Sequence, residues 1–396
     1  MDKPRIIFPY TEAGLGHIMP MNSIADEFEK LYGDKVECVR SQFFTESGDK
    51  KLKKFEDRLK GEALKYTKHS AYGFFATFNM EFWRVKLSTW ATMTFLVLGS
   101  RKRGYRHMDE LKPDMVVSTH WATNYYARKC KAKPLTAMYC PDAKINPLFR
   151  YPCDLVMMSN PMGYESAIKH HGKRLNNENF KLVPFLIREE AFTVYENNCN
   201  ASDSKAETRE KLGFDKDKFT VVLAEGGYGI GRMDKICKII LERDLPVTLV
   251  PVCGRNSELY EKFSQMKSKG NTDWRPMGLV DNMFELLTAA DLFCGKSGAS
   301  MTAEPCFFGV PQIITKYATN IEMYIGRYYV EVVGSALKIF KPRKVVDKIE
   351  EFIAAPEKLE PMKKAAMAQH GNYGAEQCAR QIFGLLCTKY PQLKEE

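Results

Sequence analysis

Three stretches of the sequence place glycine where an apolar run gives way to an amphipathic one, the place where a strand hands over to a helix. The first is Gly14-Leu15-Gly16-His17. Glycine there lets a backbone approach a ligand closely, and a helix start offers N–H groups to an anion. His17 would meet the positive end of the helix dipole, which disfavours imidazolium and leaves a neutral ring able to accept a proton. A tight turn alone would use the same residues. The stretch lacks the third glycine of a dinucleotide fingerprint. No acidic residue closes a second strand about 20 residues on, since Val36 to Val39 carries only Glu37. Nicotinamide cofactors are therefore poorly matched.

The second stretch runs from Glu225 to Gly231, with Gly226, Gly227, Gly229 and Gly231 exposing backbone N–H groups that suit a diphosphate. It has no GxxxxGK lysine, so it is not the loop of a nucleoside-triphosphate hydrolase. The third is LFCGKSGASMTAE, 292–304. Lys296 ends a strand, and Ser297, Gly298, Ala299 and Ser300 open a helix in an anion-binding arrangement. Glu304, about one turn in, is a carboxylate of the kind that accepts hydrogen bonds from a ribose diol. An ordinary buried helix start is the competing reading.

The elements that must position these loops alternate. Strand-like runs at 5–10, 36–42, 114–120, 134–140 and 153–160 are interleaved with helical patterns near 17–32, 122–130 and 163–171. A polar, turn-rich stretch at 196–218 follows. A second series has strands at 219–225, 246–253, 274–280, 291–296 and 311–316, with helices between them, and helices over about 345–389. Alternation of this kind implies parallel sheets covered on both faces, with ligands beyond the carboxyl ends of the strands. The expected fold is α/β: two facing Rossmann-like domains. The expected division is an N-terminal domain at 1–190, a linker at 191–218, a second domain at 219–370 and a C-terminal helix at 371–396.

Bulk properties narrow the function classes. The 396 residues are 44% hydrophobic and 27% charged, a globular composition too long for one ordinary core. The eleven cysteines include no CxxC pair, which argues against a disulfide framework or a zinc site and fits a reducing cytosol. The sequence shows no signal-peptide pattern and no apolar run of spanning length. Residues 51–150 hold 20 Lys+Arg against 8 Asp+Glu, a local excess of +12 beside the whole-chain +10. The stretch 70–106 interleaves Trp83, Trp90 and several phenylalanines with Arg84 and Lys86, and ends in Arg101-Lys102-Arg103. Aromatic and basic residues together make an interfacial segment for an anionic membrane. The same composition could form a core helix or stack on nucleic acid.

The chain resembles glycosyltransferases of the monogalactosyldiacylglycerol synthase and diacylglycerol glucosyltransferase type, family 28. VVLAEGGYGIGR, PVCGRN, the DNM of GLVDNM and AADLFCGKSGASMTAEPCFFGVPQII carry the resemblance in the second half. GLGHIMP, PDMVVSTH, YCPDAKINPLF and LVPF carry it in the first. The resemblance implies a GT-B fold, a UDP-sugar donor, inverting transfer of a hexose, and a lipid acceptor such as diacylglycerol. It implies a peripheral position at the cytoplasmic face of a membrane. By position, Glu304 would bind the ribose. Gly227, Gly229, Ser297, Gly298 and Ala299 would bind the diphosphate, Arg255 and Asn256 would approach the nucleotide, and Glu322 would face the donor sugar. Asp142 matches the proposed base; His17 lines the same cleft as the second candidate. Gly16, His120 and the 83–103 residues fall on the acceptor and membrane side.

No cofactor or metal is expected, because no Asp-X-Asp motif accompanies a glycine loop in the second half, and no nucleic-acid partner is expected. The departures cluster around sugar and acceptor: Asn320-Ile321-Glu322 replaces Gly-Gln-Glu, Trp121 replaces a proline, Asn146-Pro147 replaces His-Pro, and Pro141 precedes Asp142. They leave open transfer of N-acetylglucosamine to another lipid carrier, or a non-catalytic membrane partner of the same fold. A UDP-sugar epimerase on the same architecture is a further alternative, disfavoured by the basic aromatic stretch.

Overall fold

The apolar runs become strands because each is short, rich in β-branched or large apolar residues, and ended by a polar residue or glycine. A computed structural model describes residues 3–11, 15–68, 95–143, 145, 149, 152–171, 178–199, 204–227, 229 and 231–394. The chain forms two units, Met1–Arg188 with Gly374–Glu396, and Glu189–Tyr373.

In the first unit, β1 (Arg5–Pro9), β2 (Glu37–Ser41), β3 (Met115–Ser118), β4 (Leu135–Cys140), β5 (Leu155–Met158) and β6 (Phe180–Leu182) form one parallel sheet in the order β2-β1-β3-β4-β5-β6. Strands β3 and β5 are buried at every position, as a sheet covered on both faces requires. Their side chains alternate between two cores. Val116, Met138 and Val156 join Phe43, Phe44 and Tyr126 on one face. Met115, Val117, Tyr139 and Met157 join Phe8, Ile24 and Phe28 on the other.

Helix α1 (Leu15–Tyr32) follows β1, with α2 (Phe43–Glu46), α3 (Lys50–Lys68) and α4 (Arg101–Glu110) between β2 and β3, α5 (Trp121–Lys129) after β3, and α6 (Pro161–His171) after β5. The sequence reading lacked α2 to α4. Helix α2 is a single turn, and α3 and α4 are dense in charge, burying few apolar side chains such as Leu52, Phe55 and Met108. Among the described residues no helix is long and apolar enough to cross a membrane.

The second unit begins earlier than the sequence suggests. The expected linker at 191–218 holds two helices of that unit, α7 (Glu189–Cys199) and α8 (Ser204–Lys211). The misreading has a physical cause: α8 is anchored by polar rather than apolar contacts. Arg209 is buried, with its guanidinium on Asp291 at 2.5 Å and on the Ala289 carbonyl at 2.9 Å.

Next come β7 (Phe219–Ala224), α9 (Met233–Arg243), β8 (Val247–Val252), α10 (Ser257–Ser264), β9 (Asp273–Trp274), α11 (Met283–Ala289), β10 (Leu292–Lys296), α12 (Ala299–Phe307), β11 (Gln312–Lys316), α13 (Asn320–Arg327), β12 (Ala336–Lys338), α14 (Pro342–Ala354) and α15 (Glu360–Met367). The sheet is again parallel, in the order β12-β11-β10-β7-β8-β9. The strand expected over 274–280 is regular only over Asp273–Trp274, but its pairing with β8 runs on: the Arg275 and Met277 N–H groups donate to the Leu249 and Pro251 carbonyls at 2.9 Å each, and a Val252–Met277 bridge follows. The final helix, α16 (Glu376–Lys389), returns to the first unit, where Phe383 stacks on Tyr32 at 3.8 Å between ring centroids.

Both sheets reverse their order once, between β1 and β3 and between β7 and β10. The strand ends flanking such a reversal splay apart and leave a crevice, the usual ligand position in open α/β sheets.

Candidate functional site

At the β1–β3 reversal the first turn of α1 meets the residues that leave β3. Gly16 and His17 lie inside α1, which starts at Leu15, so this part of the expected loop is a helical turn; Gly14 lies outside the described residues. The His17 Nδ1 is 2.8 Å from the Thr119 carbonyl oxygen, and the Thr119 hydroxyl donates to the His17 carbonyl at 2.7 Å. A carbonyl only accepts, so Nδ1 carries the proton and Nε2 keeps its lone pair. Burial lowers the His17 pKa below the usual imidazole value, while the bond to Thr119 partly opposes it.

The ring stands edge-on to His120 at 5.0 Å between centroids and parallel to Phe149 at 6.3 Å. His120 is buried and caps α5, its Nδ1 accepting from the Ala122 N–H at 3.3 Å. That leaves the His120 proton on Nε2, the opposite tautomer. Burial, reinforced by His17, holds its pKa well below the usual value. Asp142 is half-buried just beyond β4, the strand next to β3, so the loops carrying His120 and Asp142 leave one sheet edge side by side.

In the second unit the loop after β7 is held by Glu225. This buried carboxylate accepts from the Arg232 and Met233 N–H groups at 2.8 and 2.9 Å and from the Thr315 hydroxyl at 3.1 Å. It ties the glycine loop to the start of α9, although burial alone raises its pKa. Gly229 has a φ of +56°, and a Cβ there would lie 2.7 Å from the Cys253 carbonyl oxygen. The Arg255 N–H donates to the Gly227 carbonyl at 2.8 Å. The loops after β7 and β8 are thus joined through their backbones, with the Arg255 side chain exposed. Asn256 also has a structural duty: its side-chain oxygen caps α10 by accepting from the Leu259 N–H at 3.0 Å.

Beyond β10, two expected diphosphate donors prove to be occupied. The Ser297 N–H donates to the Lys316 carbonyl at 3.1 Å, and its hydroxyl donates to the Glu322 carbonyl. The Gly298 N–H donates to the Lys296 carbonyl at 3.1 Å. Ser297 and Gly298 therefore shape the turn and have no donor left for a ligand. The groups at the mouth are the N–H donors of Ala299, Ser300 and Met301, the first turn of α12, which no side chain caps. Ser300 was already read as part of this helix start; Met301 was missed because an apolar side chain gives no sign of a backbone donor.

Glu304 is buried in the second turn of the same helix. Glu322 is held at the start of α13: the Thr319 hydroxyl, at the N-cap, accepts its N–H at 3.1 Å, and its Oε2 accepts from the N–H of the preceding Ala318 at 2.7 Å. Its Oε1 is 2.9 Å from the Lys296 ammonium. The Thr-x-x-Glu spacing at 319–322 was the signal available for this cap.

The basic segment divides. Trp83, Arg84 and Trp90 lie outside the described residues. Arg101, Lys102 and Arg103 open α4, and Arg103 is paired with Asp49 at 2.7 Å rather than left to a membrane. Just before them in sequence Phe95 and Leu98 are 71% and 59% exposed, and Lys102 is exposed as well.

Comparison with known proteins agrees with this architecture. Residues 234–378 match the glycosyltransferase family 28 C-terminal domain. The processive diacylglycerol beta-glucosyltransferase of Bacillus pumilus is 24% identical over 173 residues, 43% of this chain and 45% of that protein. Monogalactosyldiacylglycerol synthase 1 of Arabidopsis thaliana is 29% identical over 176 residues, 41% of this chain and 32% of that protein. The chain thus spans less than half the length of these relatives. The crystal structure of Acinetobacter baumannii MurG superposes with a TM-score of 0.57 at 12% identity, over 96% of this chain and 99% of that one, a likeness of fold.

Proposed function

With residues 234–378 belonging to the glycosyltransferase family 28 C-terminal domain and the chain built on the GT-B fold, we propose that it is an inverting, UDP-sugar-dependent hexosyltransferase acting on diacylglycerol or a similar membrane lipid. The observation that carries the reading is the β7–β10 reversal, where a glycine loop faces the uncapped first turn of α12. Backbone donors fixed in this way stabilise a diphosphate without reorganising, which is what a departing UDP requires. Glu304 is assigned to the ribose and Glu322 to the sugar side of the donor. The names of the relatives favour diacylglycerol as acceptor.

In the proposed reaction the acceptor hydroxyl attacks the anomeric carbon from the face opposite the phosphate. The new C–O bond forms as the sugar–phosphate bond breaks, its electron pair passing to the diphosphate. The hydroxyl proton goes to a base, and His17 is better prepared for this than Asp142: its Nε2 is unprotonated and its ring is fixed through Thr119. The reading assigns no metal to the site. Phe95, Leu98, Arg101 and Lys102 form the membrane-facing patch of a peripheral protein.

Incubation with anionic vesicles containing diacylglycerol and, separately, UDP-glucose, UDP-galactose and UDP-N-acetylglucosamine tests the reading. Mass spectrometry is expected to find a glycosylated diacylglycerol with one donor. No new lipid with any donor would contradict the acceptor assignment.

A further inference from the structure

We propose that Lys296 is a binding residue for the donor's diphosphate, held ready for it by Glu322. The inference rests on the donor reading above and adds a cation to a site so far built from backbone groups.

Lys296 ends β10, one of the two strands at the reversal. Its side chain lies over the glycine loop that leaves the other. Gly226 has a φ of +80°, and a Cβ built there would stand 2.9 Å from Lys296 Cε and 3.6 Å from Nζ. Glycine at 226 is what gives the lysine its place. The ammonium is 2.9 Å from Glu322 Oε1, and the two side chains are only 13% and 15% exposed.

The two partners are not equally fixed. Glu322 is held independently of Lys296, by the Ala318 N–H on its carboxylate and by the Thr319 hydroxyl on its backbone N–H. Lys296 has Glu322 as its one hydrogen-bond partner among the described residues. An ammonium has three protons to donate, so two remain for a ligand on the glycine loop.

Stability is a weak reason for such a pair. Two largely buried charges lose hydration that their attraction barely repays, and an apolar pair of similar volume often serves as well. Charge-assisted bonds to an anionic ligand are a stronger reason. As the sugar–phosphate bond breaks, negative charge grows on the diphosphate, and Lys296 stands where it can oppose that charge. Glu322 keeps the ammonium over the loop before the donor arrives and bridges it to the sugar side afterwards.

Calorimetric titration with UDP and with uridine tests this. The double variant Lys296→Met/Glu322→Gln leaves no uncompensated buried charge, so its fold is expected to persist. Its UDP affinity is expected to fall at least about tenfold, in line with the loss of a charge-assisted bond, with uridine affinity unchanged. Lys296→Arg, which keeps the charge, is expected to retain most of the UDP affinity. UDP binding by the double variant as tight as in the unaltered protein would overturn the role of Lys296 alone. Failure of the unaltered protein to bind UDP would overturn the donor reading, and this inference with it.

Discussion

His17 and Thr119 hold each other through two hydrogen bonds, Nδ1 to the Thr119 carbonyl at 2.8 Å and the Thr119 hydroxyl to the His17 carbonyl at 2.7 Å. The first fixes the tautomer and the second fixes the turn that carries the ring. A base placed in this way should matter to turnover and not to nucleotide binding. His17→Asn is expected to lower kcat about 100-fold while the Kd for UDP stays within about twofold. Asp142→Asn is expected to lower kcat less than about tenfold. The reverse order in steady-state assays would move the role to Asp142.

Burial of His120 sets a pH dependence of stability. Its pKa is depressed in the folded chain and returns to about 6.5 on unfolding. Between those values the unfolded chain binds the extra proton. The contribution is therefore complete above about pH 6.5 and is lost as pH falls toward the folded value. His17, shifted the same way, adds a slope of the same sign. The melting temperature is expected to drop from pH 7 to pH 5, and less steeply in His120→Asn, which keeps a side chain able to cap α5. An equal slope in the variant would remove His120 as the cause.

Gly229 tests the geometry of the glycine loop. Alanine there would have to adopt a left-handed conformation, at a cost of about 1–2 kcal/mol, and bring its Cβ to 2.7 Å from the Cys253 carbonyl oxygen. Gly229→Ala is expected to lose about 1–3 kcal/mol in urea unfolding and to weaken UDP binding at least tenfold. Normal values for both would show that the loop tolerates the change and is not a rigid cradle.

The membrane patch separates from its neighbours by substitution. Phe95→Ser/Leu98→Ser/Lys102→Glu is expected to cut cosedimentation with anionic vesicles at least about tenfold, with each cation near such a surface worth about 1 kcal/mol. Arg103→Ala, which removes a pair with Asp49, is expected to leave vesicle binding near normal. Equal binding by the triple variant and the unaltered protein would dismiss the patch.

Much of this fold was legible because strand ends and helix starts leave local marks. Nine of the twelve strands among the described residues correspond to apolar runs read from the sequence; β9 is regular over only two residues, and the short β6 and β12 had too few residues to give a pattern. The glycine loops were legible for the same reason. What escaped depended on partners distant in sequence. Ser297 looked like a phosphate ligand, but Lys316 and Glu322 take its two donors. The helix-capping role of Asn256 depends on the Leu259 N–H and was not read from the sequence. Lys296 was noticed only as a strand end; its value comes from Glu322, 26 residues on. Helix α8 passed for a linker because its anchor is the Arg209–Asp291 pair, which leaves no apolar periodicity to read.

The central claim is that the glycine loop after β7 and the first turn of α12 together hold the donor's diphosphate. Hydrogen–deuterium exchange of the intact chain with and without UDP tests it most directly. The account predicts slowed exchange in peptides covering residues 226–231 and 299–303 with UDP and no slowing there with uridine. UDP that binds without protecting either segment would contradict it.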